Sequence, residues 1–258
     1  MVLAVTVAGS GAPLVLVHGL GASTELWRDV QAALAEGHRV VAYDQRGAGR
    51  SRELTREPFT LATWAADLRD LLAALEIERP LLVGHSLGSA VALKFALSYP
   101  GESAGLVLMG ADPDLGNLAP RMLAAAELIE QIGLPRWVEE RWSLNTPFAA
   151  GSLARAPELL DRYRAMVLAN DQESYVRTCR AIATAEPLSG RVGELELAAL
   201  VIAGAEDDRT LPVHSRALAA ALPDCRYVEL AEVGHTMPFE APAEVAAAVR
   251  RFAEEIGA

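Results

Sequence analysis

The chain has 258 residues, of which 52% are hydrophobic and 22% charged. This length and composition are sufficient for a well-buried core, and the length lies at the upper end of the range for one domain. Its formal net charge of -11, from 23 basic and 34 acidic residues, argues against nucleic acid and anionic membrane surfaces as partners. No apolar run approaches the ~20 residues that span a bilayer, so we expect no membrane association.

Seven short apolar runs predict the strands of one sheet. They are separated by helical patterns, which is typical of an α/β fold with a mostly parallel, twisted sheet and helices on both faces. The runs lie at residues 1–7, 13–18, 39–43, 80–84, 105–110, 198–204 and 226–230. Because the first run has no basic flank, we interpret it as a strand and not as a signal peptide.

Helical periodicity fills the intervals between these runs. A helix is predicted over residues 23–36, with Ser23 or Thr24 as its N-cap. A second apolar stripe consists of Phe59, Leu61, Trp64, Leu68, Leu71, Leu72 and Leu75. A last helix is predicted to begin near Pro242, with Val245, Val249 and Phe252 on one face.

The alternation of strand and helix stops between the fifth and sixth runs. Residues 112–196 carry several helical patterns and no convincing strand. This segment is too long to be an ordinary loop of an α/β unit. We therefore predict a helical cap at 112–196, inserted into a core made of residues 1–111 and 197–258.

A pentapeptide with catalytic potential follows the fourth run. Gly84-His85-Ser86-Leu87-Gly88 closes an apolar run and opens a helix of small residues, the context of a G-x-S-x-G nucleophile elbow. The glycines are needed because a side chain there would collide with the neighbouring strand or helix. His85 is expected to point away from the serine.

A serine hydroxyl becomes a useful nucleophile only with a base that a carboxylate orients. Glu206, Asp207 and Asp208 follow the sixth run, and His235 follows the seventh. Both groups therefore leave the carboxyl ends of predicted parallel strands, where ligands bind in such sheets. The order Ser, acid, His is that of the α/β hydrolases.

These motifs together resemble the α/β-hydrolase-fold serine hydrolases over nearly the whole chain. The similarity is carried by His18-Gly19-Leu20-Gly21, Asp44-Gln45-Arg46-Gly47-Ala48-Gly49, Gly84-His85-Ser86-Leu87-Gly88, Gly204-Ala205-Glu206-Asp207 and Gly234-His235. It implies Ser86 as nucleophile, His235 as general base and Asp207 as the carboxylate that orients it. It also implies an oxyanion hole made by the backbone N–H groups of Leu20 and Leu87. Asp112 and Asp114, after the fifth run, remain alternative acids.

The segment from Asp171 to Gly204 resembles that of 3-oxoadipate enol-lactonases and related small bacterial carboxylesterases. This resemblance implies hydrolysis of a small ester or lactone through an acyl-enzyme, without a metal or other cofactor. Two alternatives stay open: a carbon–carbon bond hydrolase acting on ring-cleavage diketones, and a receptor or regulator that keeps the triad without turnover. Monomer and homodimer remain open as well.

Several side chains are candidates for binding substrate. Those in or beside the predicted site are Trp27, Trp137, Trp142, Phe148 and Met237, with Met122 as a further cap candidate. For a substrate carboxylate the cap offers Arg136, Arg141, Arg177 and Arg180.

Cysteine usage bears on redox chemistry and location. The two cysteines, Cys179 and Cys225, have no metal-ligating neighbours in sequence, so buried thiols are favoured over a disulfide or a zinc site. Such low cysteine usage is consistent with a reducing cytoplasm, and we expect a cytoplasmic protein.

Overall fold

The computed structural model describes residues 3–51, 58–144 and 146–258, apart from the side chains of residues 142–144. Its strands form one sheet in the order β1-β3-β2-β4-β5-β6-β7, in which β1 is antiparallel to β3 and every other pair is parallel. The strands are β1 Val5–Ala8, β2 Ala12–Val17, β3 His38–Tyr43, β4 Leu81–His85, β5 Gly105–Met109, β6 Ala199–Gly204 and β7 Cys225–Leu230. The predicted mostly parallel sheet is confirmed.

Helices connect the strands from β2 onward, whereas β1 and β2 are joined by a short loop at residues 9–11. They are α1 Arg28–Leu34, α2 Leu61–Ala74, α3 Leu87–Ser98, α4 Ala119–Ile132, α5 Leu134–Leu144, α6 Ala150–Arg155, α7 Glu158–Leu168, α8 Gln172–Ala183, α9 Pro212–Ala221, α10 Met237–Glu240 and α11 Pro242–Ile256. The helix predicted at 23–36 begins as a 3₁₀ turn at Thr24–Trp27, capped by Ser23, before α1. Among the described helices, none is long and apolar enough to cross a membrane.

The inner strands of the sheet are buried on both faces, whereas the edge strands β1 and β7 are only partly buried. Leu14 and Leu16 of β2 pack in a core cluster with residues of α1 and α11. Val15 and Val17 point the other way and pack in a cluster with residues of α2 and α3. Because successive side chains of a strand alternate between faces, a strand covered by helices on both sides must be apolar at every position. This requirement explains the continuous apolar runs in the sequence.

Five helices, α4 to α8, lie between β5 and β6. Within the described part of residues 110–198 there is no strand. Helix α4 packs against α8, and Met122, Ile129, Val176 and Ile182 of these two helices join the core cluster on the α2–α3 side of the sheet. The insertion therefore adds its own apolar residues to those that cover the sheet.

Candidate active site

Ser86 lies in a sharp turn between β4 and α3. Its backbone has φ 54° and ψ -119°, a conformation that non-glycine residues rarely adopt. A Cβ built on Gly88 would lie 2.0 Å from the carbonyl oxygen of Val17, so a side chain there would collide with β2. The Ser86 N–H donates to the carbonyl of Met109 at 2.8 Å, which fixes the turn against β5. The strand, strained serine and helix are thus arranged as in a nucleophile elbow.

His235 and Asp207 form a buried pair. Nδ1 of His235 lies 2.8 Å from Oδ2 of Asp207, whose Oδ1 accepts the backbone N–H groups of Arg209 and Thr210 at 2.8 and 2.9 Å. Burial opposes ionisation of Asp207, but attraction to His235 and these hydrogen bonds outweigh it, and the pKa of the carboxyl lies below its usual value. An ionised carboxylate at Nδ1 favours the tautomer in which Nε2 of His235 accepts a proton.

The alternative acids have other partners. Oδ1 of Asp112 accepts the N–H of Asp114 at 2.8 Å, and Oδ2 lies 3.6 Å from Nδ1 of His214. Oδ1 of Asp114 accepts the N–H groups of Leu188 and Ser189, both at 3.0 Å. These two carboxylates therefore stabilise loops, and the structure pairs His235 with Asp207.

The loop after β2 is held by His18 and Gln45. Nδ1 of His18 donates to the carbonyl of Gly19 at 2.8 Å, and its Nε2 accepts the N–H of Gln45 at 2.9 Å. Burial lowers the pKa of His18, which keeps the ring neutral, as this bonding pattern requires. Leu20, on this loop, and Leu87, after the serine, line the same pocket as Ser86. In the described chain, neither of their backbone N–H groups donates to a protein acceptor.

His85 packs beside His235 at the pocket. Its ring centroid lies 4.9 Å from that of His235. Nε2 of His85 donates to the backbone carbonyl of His235 at 2.7 Å, which ties the serine turn to the histidine loop. Burial, together with repulsion from His235, lowers the pKa of His85 to about 3, so it is neutral over the working range of most enzymes.

Ser86 and His235 lie on the wall of one pocket of about 340 Å³. Most of the lining is apolar, as is usual for small-molecule sites. Besides these two residues, the lining consists of Gly19, Leu20, Ala22, Leu26, His85, Leu87, Leu115, Leu118, Arg121, Met122, Ala124, Ala125, Leu128, Trp137, Arg141, Pro147, Tyr163, Tyr175, Cys179, Ile182, Arg209 and Thr210. The insertion contributes much of it, including Trp137, whose ring centroid lies 5.8 Å from that of Tyr175.

Three of the predicted substrate-binding side chains lie behind the pocket wall. Trp27 is fully buried in the core with Met237, and Phe148 packs edge-on against Tyr163 with ring centroids 5.5 Å apart. None of these three lines the pocket, because each is buried in the apolar cluster behind it. The side chain of Trp142 lies outside the described residues.

Two arginines that line the pocket, Arg121 and Arg209, were not predicted from the sequence. Arg209 is two residues after Asp207, so its position in the loop after β6 could have predicted that it lies at the site. Arg121 precedes Ala125 and Leu128 by four and seven residues, which places them on one face of α4. Arg141 is the one cap arginine proposed from the sequence that lines the pocket.

The fold and the site define a class of protein, and comparison with known proteins gives the same class. A sequence profile described as the alpha/beta hydrolase family matches residues 14–248. The chain belongs to this family, as predicted, and is a hydrolase. It is 32% identical over 232 residues to a protein named carbamate hydrolase RutD from Escherichia coli O81, covering 89% of this chain and 86% of the relative. A protein of the same name from Yersinia enterocolitica is 33% identical over 228 residues, covering 87% and 81%.

Solved structures give the same fold. A malate-bound thermophilic esterase from Thermogutta terrifontis superposes with a TM-score of 0.91 at 27% identity, covering 98% of this chain and 93% of the other. The enol-lactonase from Burkholderia xenovorans LB400 gives a TM-score of 0.88 at 26% identity, covering 97% and 95%. The predicted resemblance to esterases and enol-lactonases is therefore confirmed at the level of fold and family.

Proposed function

We propose that the protein hydrolyses small carboxylic esters or lactones through an acyl-enzyme on Ser86. The observation that carries this proposal is one pocket whose wall holds a serine in a strained elbow turn and a histidine paired at 2.8 Å with a buried aspartate. A pocket of about 340 Å³ is at the small end of ligand sites, which favours a small substrate.

In the proposed reaction, Oγ of Ser86 attacks the carbonyl carbon while Nε2 of His235 takes its proton. The N–H groups of Leu20 and Leu87 stabilise the oxyanion. His235 then protonates the leaving alcohol as the carbon–oxygen bond breaks. Water, activated by the same histidine, attacks the acyl carbon and releases the acid and Ser86. In a lactone the alcohol stays attached to the acyl group, and the product is one hydroxy acid or its keto tautomer.

A carbamate is the second candidate substrate. It is favoured by the relatives of 32 and 33% identity that are named carbamate hydrolases. The same nucleophile, base and oxyanion donors would act on a carbamate carbonyl, so only the substrate separates the two proposals.

The test is the initial rate of hydrolysis across p-nitrophenyl esters of increasing chain length, with 3-oxoadipate enol-lactone and an N-alkyl carbamate ester as further substrates. We expect the protein to hydrolyse the short esters or the lactone. This activity should be lost completely in Ser86→Ala and retained in Ser98→Ala. Ser98 is exposed at the far end of α3 and is the matched control.

Labelling by a fluorophosphonate gives a second readout. We expect one adduct per chain, located on Ser86 by mass spectrometry and absent from Ser86→Ala. Cys179 should not compete, because burial raises the pKa of its thiol to about 12. Turnover or labelling that survives in Ser86→Ala would overturn the proposal.

A further inference from the structure

Hydrogen bonds hold the backbone on both sides of His235. Its own N–H donates to the carbonyl of Pro147, in the insertion, at 3.0 Å. The N–H groups of its two neighbours, Gly234 and Thr236, donate to one carboxylate, that of Glu240, at 2.9 and 3.0 Å. Because Glu240 binds the residue before the histidine and the residue after it, this one side chain fixes the point at which the imidazole leaves its loop.

The carboxylate of Glu240 accepts two further hydrogen bonds. Its Oε1 accepts the hydroxyl of Thr236 at 2.9 Å, and its Oε2 accepts the N–H of Ala149, also in the insertion, at 2.9 Å. A carboxylate offers about four acceptor positions, so these two donors and the two N–H groups of the histidine loop occupy both oxygens. Hydrogen bonds to an ionised acceptor are roughly twice as strong as those between neutral groups. Glu240 therefore binds the histidine loop to the insertion more firmly than an uncharged side chain would.

The packing at Gly234 shows how closely the insertion approaches this loop. A Cβ built there would lie 2.6 Å from the backbone nitrogen of Ala149 and 2.9 Å from the carbonyl carbon of Phe148, so only a hydrogen atom fits between the two backbones. Pro147, the residue before Phe148, lines the pocket that holds Ser86. The histidine loop therefore cannot shift without displacing this part of the pocket wall.

The direction of the His235 ring depends on its backbone as well as on Asp207. Nδ1 lies 2.8 Å from the carboxylate of Asp207, which fixes one end of the ring. The other end, Nε2, must reach Oγ of Ser86, and its position depends on where the backbone of residue 235 lies. Reacting groups that are misplaced by about 1 Å lose as much as roughly 100-fold in rate.

We propose that Glu240 is a positioning residue for His235: it fixes the loop on both sides of the histidine, so that Nε2 meets Oγ of Ser86. This proposal rests on the proposed function, which assigns the general base to His235. Glu240 does not line the pocket. It therefore acts through the histidine and the adjoining insertion and not through contact with the substrate.

The experiment measures how fast a fluorophosphonate labels Ser86, a reaction that requires the general base but no knowledge of the natural substrate. In Glu240→Gln an NH₂ group replaces one carboxylate oxygen and faces N–H donors. We expect the limiting rate constant of labelling, kinact, to fall by about 10- to 100-fold. The concentration that gives half of this rate, KI, should change by a much smaller factor, because the side chain is outside the pocket lining.

Glu244→Gln is the matched control. Glu244 is exposed in the first turn of α11, four residues after Glu240, and the variant should keep the wild-type kinact. Thr236→Val is a second test, which decides the matter if thermal melting shows that Glu240→Gln does not fold. It keeps the shape of the side chain and removes the hydroxyl that donates to Oε1, so kinact should fall by about 2- to 10-fold, the effect of one hydrogen bond. An unchanged kinact in Thr236→Val would then overturn the proposal.

Proton NMR gives a readout that does not depend on a reaction at Ser86. The proton that Nδ1 of His235 donates to Asp207 should resonate far downfield of the amide protons in the wild type and in Glu244→Gln. In Glu240→Gln this resonance should shift or broaden at a temperature at which the melting curve shows a folded protein.

The outcomes separate the two proposals. If Ser86 is labelled, and a folded Glu240→Gln keeps the wild-type kinact and the wild-type His235 resonance, the positioning role is wrong and the hydrolase proposal stands. If Ser86 is not labelled in the wild type, the proposed function fails, and the His235 resonance alone then decides whether Glu240 holds the histidine. A loss of kinact in Glu244→Gln equal to that in Glu240→Gln would also overturn the positioning role.

Discussion

At the scale of single residues, Asp207 differs from the alternative acid Asp112 in the partners of its two carboxylate oxygens. One carboxylate oxygen faces His235, and the other accepts two backbone N–H groups of its own loop. The side chain is 0% exposed, so the histidine cannot exchange this partner for water without opening the loop. Asp112 is also buried, but its Oδ2 lies 3.6 Å from Nδ1 of His214, on helix α9. Burial alone therefore does not distinguish the two acids, and the contact with His235 supports Asp207 as the proposed acid of the triad.

Asp207→Asn should lower kcat for the best ester by roughly 10³- to 10⁴-fold, because the amide favours the wrong tautomer of His235 and cannot stabilise its charged form. Asp112→Asn, the matched control, should stay within about 2-fold of the wild type, as a change away from the reacting groups does. Steady-state kinetics at neutral pH, with thermal melting to check folding, make the measurement. A large loss in Asp112→Asn with little change in Asp207→Asn would move the acid to the loop after β5.

The side chains that line the pocket were harder to predict than the residues of the proposed triad. Ser86, His235 and Asp207 follow directly from the ends of strands, and strand ends can be located from apolar runs. Trp27, Phe148 and Met237 were predicted because they are large and near a motif in sequence. Proximity in sequence does not show whether a side chain points into the pocket or into the buried core behind it. The packing of the insertion decides that question, and it depends on contacts between residues far apart in the chain.

At the scale of elements, Asn170 connects the insertion to the core. It lies between α7 and α8, and its Nδ2 donates to the carbonyl of Gly21, on the loop after β2, at 2.8 Å. Its Oδ1 accepts the N–H of Gly49, in the glycine-rich turn after β3, at 3.1 Å. The same Nδ2 also contacts the carbonyls of Met166 and Val167, so one buried amide fixes two core loops relative to the end of α7. This residue was not predicted from the sequence, because Gly21 and Gly49 are far from it in the chain.

Asn170→Ala should lower the free energy of unfolding by about 1–3 kcal/mol, since it leaves buried backbone groups without partners. It should also lower kcat more than it raises KM, because Leu20, next to Gly21, then loses its fixed position. Asn117→Ala is the control, since Asn117 is an exposed amide in the same insertion. Urea unfolding and ester kinetics test both effects. An unchanged kcat in a destabilised Asn170→Ala would restrict this residue to a structural role.

At the scale of the whole molecule, the buried sheet explains why the fold was predictable. The inner parallel strands, β2 to β6, are largely buried on both faces, so each appears in the sequence as a mainly apolar run, whereas the edge strand β7 is only partly buried and contains charged residues. The strand order and the antiparallel β1 depend on crossover connections between distant residues, which periodicity does not specify. Two buried histidines with lowered pKa, His18 and His85, lie beside the proposed catalytic groups. These two residues make the stability of the whole chain depend on pH.

The direction of this pH dependence follows from whether the folded or the unfolded chain binds the proton more readily. His85 has a pKa of about 3 in the folded protein and the ordinary 6.5 when unfolded, so below neutral pH the unfolded chain binds the extra proton. His85 therefore stabilises the fold fully above pH 6.5, and this contribution falls as the pH decreases towards 3. Between pH 7 and pH 5 the loss is about 2 kcal/mol. The lowered pKa of His18 acts in the same direction. The stabilisation from Asp207 is fully present above the ordinary pKa of 3.8 and is lost only as the pH falls below it, so it does not change between pH 7 and pH 5.

His85→Gln should therefore reduce the difference in unfolding free energy between pH 7 and pH 5 by about 2 kcal/mol, although the variant is less stable at pH 7. Glutamine can still donate to the carbonyl of His235 but carries no titrating group in this range. Some pH dependence should remain, because His18 is unchanged. Urea unfolding at the two pH values measures the difference directly. A pH dependence equal to that of the wild type would show that the neutral imidazole of His85 is not what links acidity to unfolding.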